Sequence, residues 1–336
     1  MQALITGAGG FLGTAIAAQL HHRGVAVRGF SRRRHPHLDA LGVDQVLGDL
    51  ADADAVQRAV TGCDVVFHVA AMPGAWGTFQ QHFDTHIAGT DHVVCGCVGA
   101  EVPHLVFTST PSVVSRGRDL EGADESTPYA RVFKAFYPAT KARAEQMVRS
   151  ADVPGQLRTV SLRPHLVWGP GDRHLLPRIV RRADAGSLRR IGRADKRVDT
   201  TYIDDAARAH LLAWDRLRSE PDAVGGRAYF ISSGQPIPTW EMVDRLLAAT
   251  GRPPVRRHVP RWVAYAAAAV IEPCARLFGR REEPLLTRWV VDELSTAHWF
   301  DLGAARRDLG YTPQVTLDEG LRRLAAWWQC EGRQLA

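Results

Sequence analysis

Cysteine is scarce in this chain, and its arrangement argues against disulfides and against a zinc site. The 336 residues contain five cysteines, at Cys63, Cys95, Cys97, Cys274 and Cys330. An odd number in a long chain does not fit a disulfide framework, and only Cys95 and Cys97 lie close together in sequence. We therefore expect reduced, structural cysteines and no bound metal.

Long uninterrupted hydrophobic runs are also missing. The most apolar stretch, 262–278, is interrupted by charged residues and a proline and is too short to span a bilayer. We expect this stretch to form a buried or substrate-lining helix. The alternative is an interfacial helix that makes peripheral membrane contact beside Arg276, Arg280 and Arg281.

A targeting segment is missing as well. The residues after Met1 already have the pattern of a buried strand, which leaves no space for the charged region, apolar region and cleavage site of a signal peptide. We therefore expect a cytoplasmic protein, with peripheral attachment to a membrane as the variant that the 262–278 stretch leaves open.

Positive charge is in slight excess and unevenly distributed. The 42 Lys and Arg residues against 36 Asp and Glu give a net charge of +6, and nine basic residues lie between Arg173 and Arg197 with two acids. This stretch fits a solvated helix face, an anionic substrate, an acidic partner or anionic lipid. Because its basic residues lack interleaved aromatics, we expect no nucleic-acid partner.

Short apolar runs alternate with helical stretches along the first half of the chain. Strands are predicted at 2–6, 26–30, 45–47, 64–69, 104–108 and 159–162, with a helix at 11–23. This alternation predicts an α/β fold built on a doubly wound parallel sheet of the Rossmann type.

The second half of the chain is richer in proline and arginine, which indicates a domain boundary. We assign 1–166 to a dinucleotide-binding domain. The segment 198–233 is predicted to return to that domain with strands at 198–203 and 228–231. The segments 167–197 and 234–330 are assigned to a smaller, discontinuous substrate-binding domain.

A glycine pattern follows the first predicted strand. Gly7, Gly10 and Gly13 lie where this strand gives way to a helix that opens with Phe11 and Leu12. Glycines there let the backbone approach a pyrophosphate, and the N-terminus of the helix attracts its charge. These five residues are therefore predicted to bind a dinucleotide.

An acidic residue is missing at the end of the second strand, where it would hold the ribose hydroxyls of NAD. The strand ends instead in Ser31 and Arg32. Without a carboxylate to repel it, a 2′-phosphate can contact the Ser31 hydroxyl and the Arg32 guanidinium. We predict NADP(H) as the preferred cofactor, with NAD(H) as the alternative.

Two further strand ends supply candidate cofactor contacts. Asp49, followed by Leu50, can accept a hydrogen bond from the adenine amino group or can cap the helix that starts near Asp52. Ala70 and Ala71 end the fourth strand, and their small side chains let the backbone lie against the cofactor.

Tyr137 and Lys141 lie four residues apart in a predicted helix, so their side chains share one face. An ammonium there can lower the pKa of the phenol from about 10 toward working pH. The strand at 104–108 ends in a hydroxyl cluster that includes Ser109 and Thr110, at the edge of the sheet where ligands bind. These features predict hydride transfer to a carbonyl.

The glycine pattern, the hydroxyl cluster and the Tyr137–Lys141 pair together resemble the extended short-chain dehydrogenase/reductase family over nearly the whole chain. The resemblance implies that Tyr137 is the general acid or base and that Lys141 lowers its pKa and binds the nicotinamide ribose. It also implies that Thr110, or else Ser109, polarises the carbonyl, and that Pro164 contacts the cofactor.

Two positions depart from the family pattern. His86 stands where the family often has Asn, and His165 stands after Pro164, where Arg is frequent. The role that the family gives to the Asn is therefore open in this chain.

Within the family, residues 108–113 and 137–141 resemble the 3β-hydroxysteroid dehydrogenase/isomerase branch. The stretches 73–77, 167–172, 198–204 and 297–300 are similar to the bacterial 2-alkyl-3-oxoalkanoate reductases of long-chain olefin biosynthesis. This resemblance implies reduction, with NADPH, of a lipid-like β-oxo acid that has two long alkyl arms. The 262–278 stretch would suit the arms and the 173–197 stretch the carboxylate.

Other functions stay open from the sequence. A hydroxysteroid or sterol-acid dehydrogenase would suit the same features. A sugar-nucleotide epimerase would be expected to have an acid at the position of Ser31, and a non-catalytic NADP-sensing protein commonly loses the tyrosine or the lysine. The resemblance also implies a homodimer, paired through helices such as 139–149, and an assembly with enzymes that make or consume the substrate.

Overall fold

The computed structural model describes residues 1–74, 76–193, 195–280, 282–284 and 286–332. Ala75 in the 73–77 stretch, Ala194 in the basic stretch and Arg281 beside the 262–278 stretch lie outside the described residues. The described strands, in chain order, are β1 Gln2–Thr6, β2 Ala26–Ser31, β3 Asp44–Leu47, β4 Val65–His68, β5 His104–Thr108, β6 Leu120–Ala123, β7 Arg158–Pro164, β8 Val167–Trp168, β9 Arg190–Ile191, β10 Arg197–Val198, β11 Thr201–Tyr202, β12 Arg227–Ile231, β13 Ile237–Pro238, β14 His258–Val259 and β15 His298–Phe300.

Helices cover both faces of the sheet and much of the second half of the chain. The described α-helices are α1 Phe11–His22, α2 Pro36–Ala40, α3 Ala53–Val60, α4 Phe79–Phe83, α5 Gly89–Gly99, α6 Phe136–Ser150, α7 Leu175–Asp184, α8 Ile203–Ser219, α9 Pro221–Val224, α10 Thr239–Ala249, α11 Arg261–Leu277, α12 Arg288–Ser295, α13 Gly303–Leu309 and α14 Leu317–Cys330. A π-helical turn, Asp84–Ala88, joins α4 to α5, and a 3-10 turn, Pro111–Val113, follows β5.

Seven strands form one parallel sheet in the order β12-β7-β5-β4-β1-β2-β3. The order reverses between β1 and β4, so the carboxyl ends of these strands border a crevice where ligands bind in doubly wound sheets. The prediction of a Rossmann-type parallel sheet is confirmed. The returning strand predicted at 228–231 is also confirmed, because β12 pairs with β7.

The sheet is buried on both faces by helices whose apolar sides pack against it. One core contains Ile16 and Leu20 of α1 and Trp214 of α8, and the Trp214 ring packs edge-on against Phe67 of β4 at 5.9 Å. The other contains Val56 of α3 and residues of α5 and α6. Burying a large aromatic or aliphatic side chain stabilises the fold by about 1.5–3 kcal/mol, so these two cores hold the strand ends at the crevice in place.

Smaller sheets lie beyond the crevice, and they correct one prediction. The segment 198–203 was expected to be a strand of the main sheet, but that prediction was wrong. Val198 pairs in a four-stranded sheet with β13 and β15, and Thr201–Tyr202 pairs with β8. Helix α8 then begins at Ile203. The segment 198–203 was read as one strand, but the structure has two short strands here, β10 and β11, which are joined by the buried Asp199 and Thr200. The domain boundaries stay a prediction.

Helix α11 also differs from expectation. The buried residues of this helix are Ala264, Ala268, Glu272 and Ala275. The opposite side is exposed and apolar, with Trp262 74%, Val270 64% and Leu277 82% exposed. The expectation of a buried or substrate-lining helix was therefore wrong for this face, because the sequence of α11 is largely apolar and does not reveal which side packs. No helix of the described residues has the length and apolar character needed to cross a membrane.

Candidate active site

The glycine turn after β1 is closed too tightly for any side chain. A Cβ atom on Gly13 would lie 2.3 Å from the carbonyl oxygen of Gly7. Gly7 itself has a φ of +70°, and a Cβ there would lie 2.8 Å from the Cα of Ala70. The backbone of the turn therefore packs directly on the end of β4, which places Gly7, Ala70 and the neighbouring Ala71 at one edge of the crevice.

The N-terminus of α1 leaves its first backbone N–H groups without a side-chain cap, because Gly10 is the N-cap residue. Helix α3 shows the contrast, since the Asp52 carboxylate accepts a hydrogen bond from Ala55 N–H at 3.0 Å. Uncapped N–H groups at a helix start attract an anion. The turn and the residues Phe11 and Leu12 that follow it thus fit the pyrophosphate of a dinucleotide.

Two histidines beside this turn were not predicted from the sequence. A Cβ on Gly9 would lie 2.2 Å from the ring of His35, and His37 Nε2 is 3.1 Å from the Thr14 hydroxyl. Burial is the main cause that lowers the pKa of both histidines. The charges of His37, Arg33 and Arg173 lower the pKa of His35 further, and the charge of Arg173 lowers that of His37. No local pattern marks these residues, because α2 folds back over the glycine turn only in three dimensions.

The residues expected to hold the adenosine half lie along the ends of β2 and β3. The Ser31 hydroxyl donates to the Arg33 carbonyl oxygen at 2.8 Å, and the Arg32 side chain is exposed. The exposed Asp49 accepts from Ala51 N–H at 3.0 Å and is followed by the buried Leu50. The alternative that Asp49 caps the next helix is excluded, since Asp52 occupies that position.

Helix α6 carries Tyr137 and Lys141 toward the carboxyl end of β5. Pro138 lies in the first turn of α6, where its missing N–H costs no helical hydrogen bond. Lys141 is 2% exposed, and its Nζ donates to the Thr108 carbonyl oxygen at 2.6 Å. Burial lowers the pKa of Lys141 to about 7, and the Glu145 carboxylate opposes this only in part.

The pKa of Tyr137 differs in direction from the sequence-based expectation. Burial raises it to about 12, the nearby Thr110 hydroxyl lowers it, and the Glu293 carboxyl raises it. The predicted lowering by Lys141 was therefore wrong for this structure. The physical reason is that desolvation opposes the phenolate, while Lys141 is itself buried and carries less charge near neutral pH.

The hydroxyl cluster after β5 separates into two roles. Ser109 donates a short hydrogen bond to the buried Glu145, which also pairs with Arg163 at 2.6 Å. Thr110 lies instead beside Tyr137, and its hydroxyl caps the 3-10 turn by accepting from Ser112 N–H at 3.2 Å. Of the two candidates, Thr110 is the one whose hydroxyl neighbours the phenol.

His86, one of the two departures from the family pattern, supports the Tyr137 helix. Its Nε2 accepts from Met72 N–H at 3.0 Å, and its Nδ1 lies 2.8 Å from the Thr140 hydroxyl. The His86 ring also packs edge-on against the Tyr137 ring at 5.6 Å. Burial holds the pKa of His86 far below its usual value, at about 2. His86 is therefore a neutral side chain that positions the turn of α6 bearing Tyr137.

His165, the other departure, belongs to a cluster with Glu293 and His298. The ligand atoms of these three side chains all lie within 4.8 Å of one another. The sequence drew attention to His165 by itself and to His298 in the 297–300 stretch, but nothing in the sequence indicated that they meet Glu293 of α12. Pro164, predicted to contact the cofactor, is buried at the end of β7 beside this cluster.

The fold and the arrangement of the site define an oxidoreductase of the extended short-chain dehydrogenase/reductase class. The solved structure of MoeE5 in complex with UDP-glucuronic acid and NAD aligns with a TM-score of 0.73 at 25% identity, over 98% of this chain and 99% of that chain. The model of the 3-beta hydroxysteroid dehydrogenase/isomerase family matches residues 4–260. The chain belongs to that family, and it is a dehydrogenase or reductase that uses a nicotinamide cofactor.

Curated relatives fall into two groups. The chain is similar to 2-alkyl-3-oxoalkanoate reductase of Shewanella oneidensis, with 46% identity over 96% of this chain and 85% of that protein. It is similar to the protein of the same name in Stenotrophomonas maltophilia, with 48% identity over 97% and 99%. The mouse sterol-4-alpha-carboxylate 3-dehydrogenase, decarboxylating, is 31% identical over 95% and 88%.

Proposed function

We propose that this protein reduces the ketone of a long-chain 2-alkyl-3-oxoalkanoic acid to the corresponding 3-hydroxy acid, with NADPH. The observation that carries the proposal is the similarity, over nearly the full length of both chains, to a reductase named for that substrate. When bound, the nicotinamide supplies the hydride for the carbonyl carbon.

Tyr137 is the proposed proton donor. With a pKa of about 12, its phenol is protonated at neutral pH and can give its proton to the alkoxide that forms at the ketone oxygen. Thr110 lies beside the phenol and is proposed to donate a second hydrogen bond to the same oxygen, which stabilises the developing charge. Lys141 is proposed to orient the cofactor through its ribose.

The preference for NADPH is proposed from the end of β2. An exposed guanidinium at Arg32 and a hydroxyl at Ser31 stand where a carboxylate would repel a 2′-phosphate. The Ser31 hydroxyl donates a hydrogen bond to the Arg33 carbonyl oxygen. Because the Ser31 side chain is partly exposed, its hydroxyl can rotate at little energetic cost and donate to a phosphate oxygen instead.

The β-oxo acid is proposed over a plain ketone because of a shared feature in the relatives' names. In a 3-oxoalkanoate, the ketone carbon is bonded to the carbon that carries the carboxyl group. In a 3-hydroxysterol 4-carboxylate, the carbon that carries the hydroxyl is likewise bonded to the carbon that carries the carboxyl group. A 3β-hydroxysteroid or sterol acid is the second candidate, since the mouse enzyme is named for such a substrate.

An oxidative assay tests the proposal, because β-oxo acids decarboxylate on standing. The purified protein is given NADP⁺ or NAD⁺ with a 2-alkyl-3-hydroxyalkanoic acid or a 3β-hydroxysteroid, and the absorbance of the reduced cofactor is followed. We expect turnover of the branched acid with NADP⁺. Turnover of the steroid alone would replace the proposed substrate, and faster reaction with NAD⁺ would refute the cofactor preference.

We also propose peripheral membrane contact through α11. Its exposed side includes Trp262, Val270, Leu277 and Phe278, and Arg276 lies at the same end as Phe278. Apolar residues beside basic ones suit an interface that contains anionic lipid. Co-sedimentation with anionic vesicles tests this contact. A Trp262→Ser, Phe278→Ser double variant is expected to lose it, while Leu47→Ser, which alters an exposed leucine elsewhere, is expected to retain it.

A homodimer, and an assembly with enzymes that make or consume the substrate, are proposed from the family resemblance alone. Sedimentation velocity of the purified protein tests the dimer, with a single species of twice the 37.0 kDa chain mass as the expected result. A monomer at micromolar concentration would refute it.

A further inference from the structure

The cluster of His165, Glu293 and His298 contains a buried side chain without a well-formed hydrogen bond. His298 is 5% exposed, and backbone carbonyl oxygens of Asp292 and Glu293 lie near its ring, but neither ring nitrogen makes a well-aligned hydrogen bond to a described residue. Leaving buried polar groups unpaired is costly, so such groups usually face a ligand or water. The His298 ring packs edge-on against the His165 ring at 5.4 Å, and one nitrogen of each ring lies within 4.8 Å of a Glu293 carboxyl oxygen.

A contact with a backbone carbonyl oxygen determines which ring nitrogen of His165 carries the proton. Its Nδ1 lies 2.5 Å from the Asp199 carbonyl oxygen, so Nδ1 carries the proton and donates. Its Nε2 is then left as a hydrogen-bond acceptor. The edge-on contact with His165 fixes the plane of the His298 ring, and the single N–H of the neutral His298 is then available to a ligand.

Glu293 links this cluster to the reacting group. Its carboxyl is close enough to Tyr137 to raise the pKa of the phenol, and its own pKa is raised to about 7, mainly by burial. The Glu293 side chain is half-buried, as expected of a residue that lines a cleft. The charge on Glu293 therefore acts on the phenol that is proposed to protonate the substrate oxygen.

The covalent structure of a β-oxo acid limits where its carboxyl can bind. The carboxyl carbon and the ketone carbon are joined through one carbon, so they lie about 2.5 Å apart for ordinary bond lengths and angles. When the ketone oxygen meets Tyr137, the carboxyl must therefore lie within a few ångströms of the phenol. Residues that recognise the carboxyl must lie near Tyr137, and Glu293 is near enough to act electrostatically on the phenol.

The basic stretch at 173–197 fits this requirement less well. Several of its side chains are already neutralised, since Arg178 pairs with Glu283 at 2.9 Å, Arg190 with Asp244, and Lys196 with Asp119. These ion pairs satisfy charges that the sequence alone left available for a carboxylate.

We propose that Glu293 and His298 form the subsite for the carboxyl group of the substrate, with His165 as the positioning residue that orients His298. This rests on the proposed function, since it assigns residues to the acid group of the same substrate. The neutral acid of Glu293 donates its O–H to one carboxylate oxygen, and an N–H of His298 donates to the other. No bond is made or broken in this step beyond these hydrogen bonds.

The charges around Glu293 determine how binding depends on pH. Asp292, next to it on α12, is held by Lys134 at 2.5 Å and Arg261 at 2.8 Å. The other titratable groups that face the cluster are Tyr137, His165, His298 and Asp119. The two histidines are neutral, since burial holds the pKa of His165 at about 4 and that of His298 at about 3.

Within the cluster, Glu293 is therefore the group that titrates near neutrality; Lys141, whose pKa is also about 7, lies outside the cluster and is proposed to contact the cofactor. Below about pH 7 it is an uncharged donor, and above that pH it becomes a carboxylate that repels the substrate. The KM for the acid is therefore expected to rise as the pH increases from 6 to 8.5, while the KM for an uncharged analogue stays constant.

The experiment compares a 2-alkyl-3-hydroxyalkanoic acid with its methyl ester, in the oxidative direction with NADP⁺. We expect Glu293→Leu and His298→Leu each to lower kcat/KM for the acid by roughly 10–100-fold through KM, as for loss of a hydrogen bond to a charged group. The ester is expected to react within threefold of the unchanged protein, which also shows that the variants fold. Glu121→Gln, in the exposed part of β6, is the matched control.

A second variant separates recognition from support of the fold. Glu293→Gln keeps a neutral donor of the same shape, so the acid is expected to bind with a KM that no longer changes between pH 6 and pH 8.5. A pH-dependent KM in Glu293→Gln would overturn the assignment, as would an unchanged ratio of acid to ester turnover in the two leucine variants.

Two results distinguish the possible failures. If the unchanged protein oxidises neither acid nor ester but accepts a steroid, the proposed function fails and the subsite fails with it. If it oxidises acid and ester equally well, only the subsite is overturned. Two histidines and a carboxylate are also a zinc donor set, so metal analysis of the purified protein is included. We expect less than a tenth of an equivalent, and one equivalent that is lost in His298→Leu would overturn the proposal.

Discussion

The side-chain nitrogen of Lys141 lies 2.6 Å from the carbonyl oxygen of Thr108, and the side chain is 2% exposed. One backbone oxygen does not replace the water that an ammonium loses on burial, so the pKa of Lys141 falls to about 7. In the unfolded chain the same group titrates near 10.4. The protein thus carries a buried amine that favours unfolding whenever it is protonated.

Replacement of Lys141 is expected to trade activity for stability. The destabilising effect is fully present below about pH 7, and it disappears as the pH approaches the pKa of the amine in the unfolded chain. Lys141→Met is therefore expected to raise Tm by roughly 3 °C or more at pH 6, by less at pH 9, and to lower turnover at least about 100-fold. Thermal unfolding at several pH values measures this.

The control for this prediction is Lys134→Met, which removes a lysine paired with Asp292. This variant is expected to lower Tm. A fall in Tm for Lys141→Met that is as large as the fall for Lys134→Met would show that Lys141 stabilises the fold, contrary to the account.

Removal of the Tyr137 hydroxyl is expected to stop proton transfer without loosening the cofactor. Tyr137→Phe should lower kcat by about 10²–10⁴-fold, while the Kd for NADPH, measured by fluorescence titration, changes less than twofold. Tyr229→Phe, on β12, removes a hydroxyl that donates to Asp308 of α13, and this variant is expected to keep its turnover. Retention of most activity by Tyr137→Phe would eliminate Tyr137 as the acid.

Charge at the end of β2 is expected to determine the choice of cofactor. Arg32→Ala should raise the KM for NADPH by roughly 10–100-fold, as for loss of a hydrogen bond to a charged group, and leave the KM for NADH within twofold. Arg34→Ala is the matched control, because Arg34 already pairs with Asp39 at 2.8 Å. Equal effects of the two substitutions on NADPH would place the 2′-phosphate elsewhere.

Arg163 and Glu145 form a buried ion pair, and loss of one partner is expected to destabilise the protein more than loss of both. Arg163 is 2% exposed and Glu145 is fully buried, and Tyr129 also donates to Glu145 at 2.6 Å. Arg163→Met should lower the free energy of unfolding by about 3–5 kcal/mol, because the remaining carboxylate loses its counter-charge. Urea unfolding provides the measurement.

The double variant Arg163→Met, Glu145→Leu is expected to regain at least half of that loss, since no lone charge is left in the core. Arg322→Met, which breaks the exposed pair with Glu319, should change the free energy of unfolding far less than Arg163→Met does. A double variant that loses more free energy of unfolding than the two single variants lose together would contradict this expectation.

The features that could be predicted from the sequence are those encoded by neighbouring residues. Gly7 and Gly13 are required by a turn that spans a few residues, and Tyr137 and Lys141 share a face because of helical periodicity. The parallel sheet follows from the alternation of strands and helices. Each of these conclusions needs only local geometry, which is why composition and spacing were enough.

The features that could not be predicted depend on contacts between distant segments. His35 meets Gly9 through the fold of α2, and Glu293 of α12 acts electrostatically on the phenol of Tyr137. The direction of the Tyr137 pKa depends on how much water is excluded, which spacing does not determine. Whether α11 is buried or interfacial stayed open because its sequence is largely apolar and does not show which side packs.

The most direct test of the central claim follows the hydride itself. The protein is incubated with freshly prepared 2-alkyl-3-oxoalkanoic acid and NADPH that carries deuterium at carbon 4 of the nicotinamide, on either face in separate reactions, and the product is analysed by mass spectrometry. The account predicts a 2-alkyl-3-hydroxyalkanoic acid with one deuterium on carbon 3 from one of the two faces. A 3-hydroxy acid without deuterium from either cofactor, or no 3-hydroxy acid at all, would contradict it.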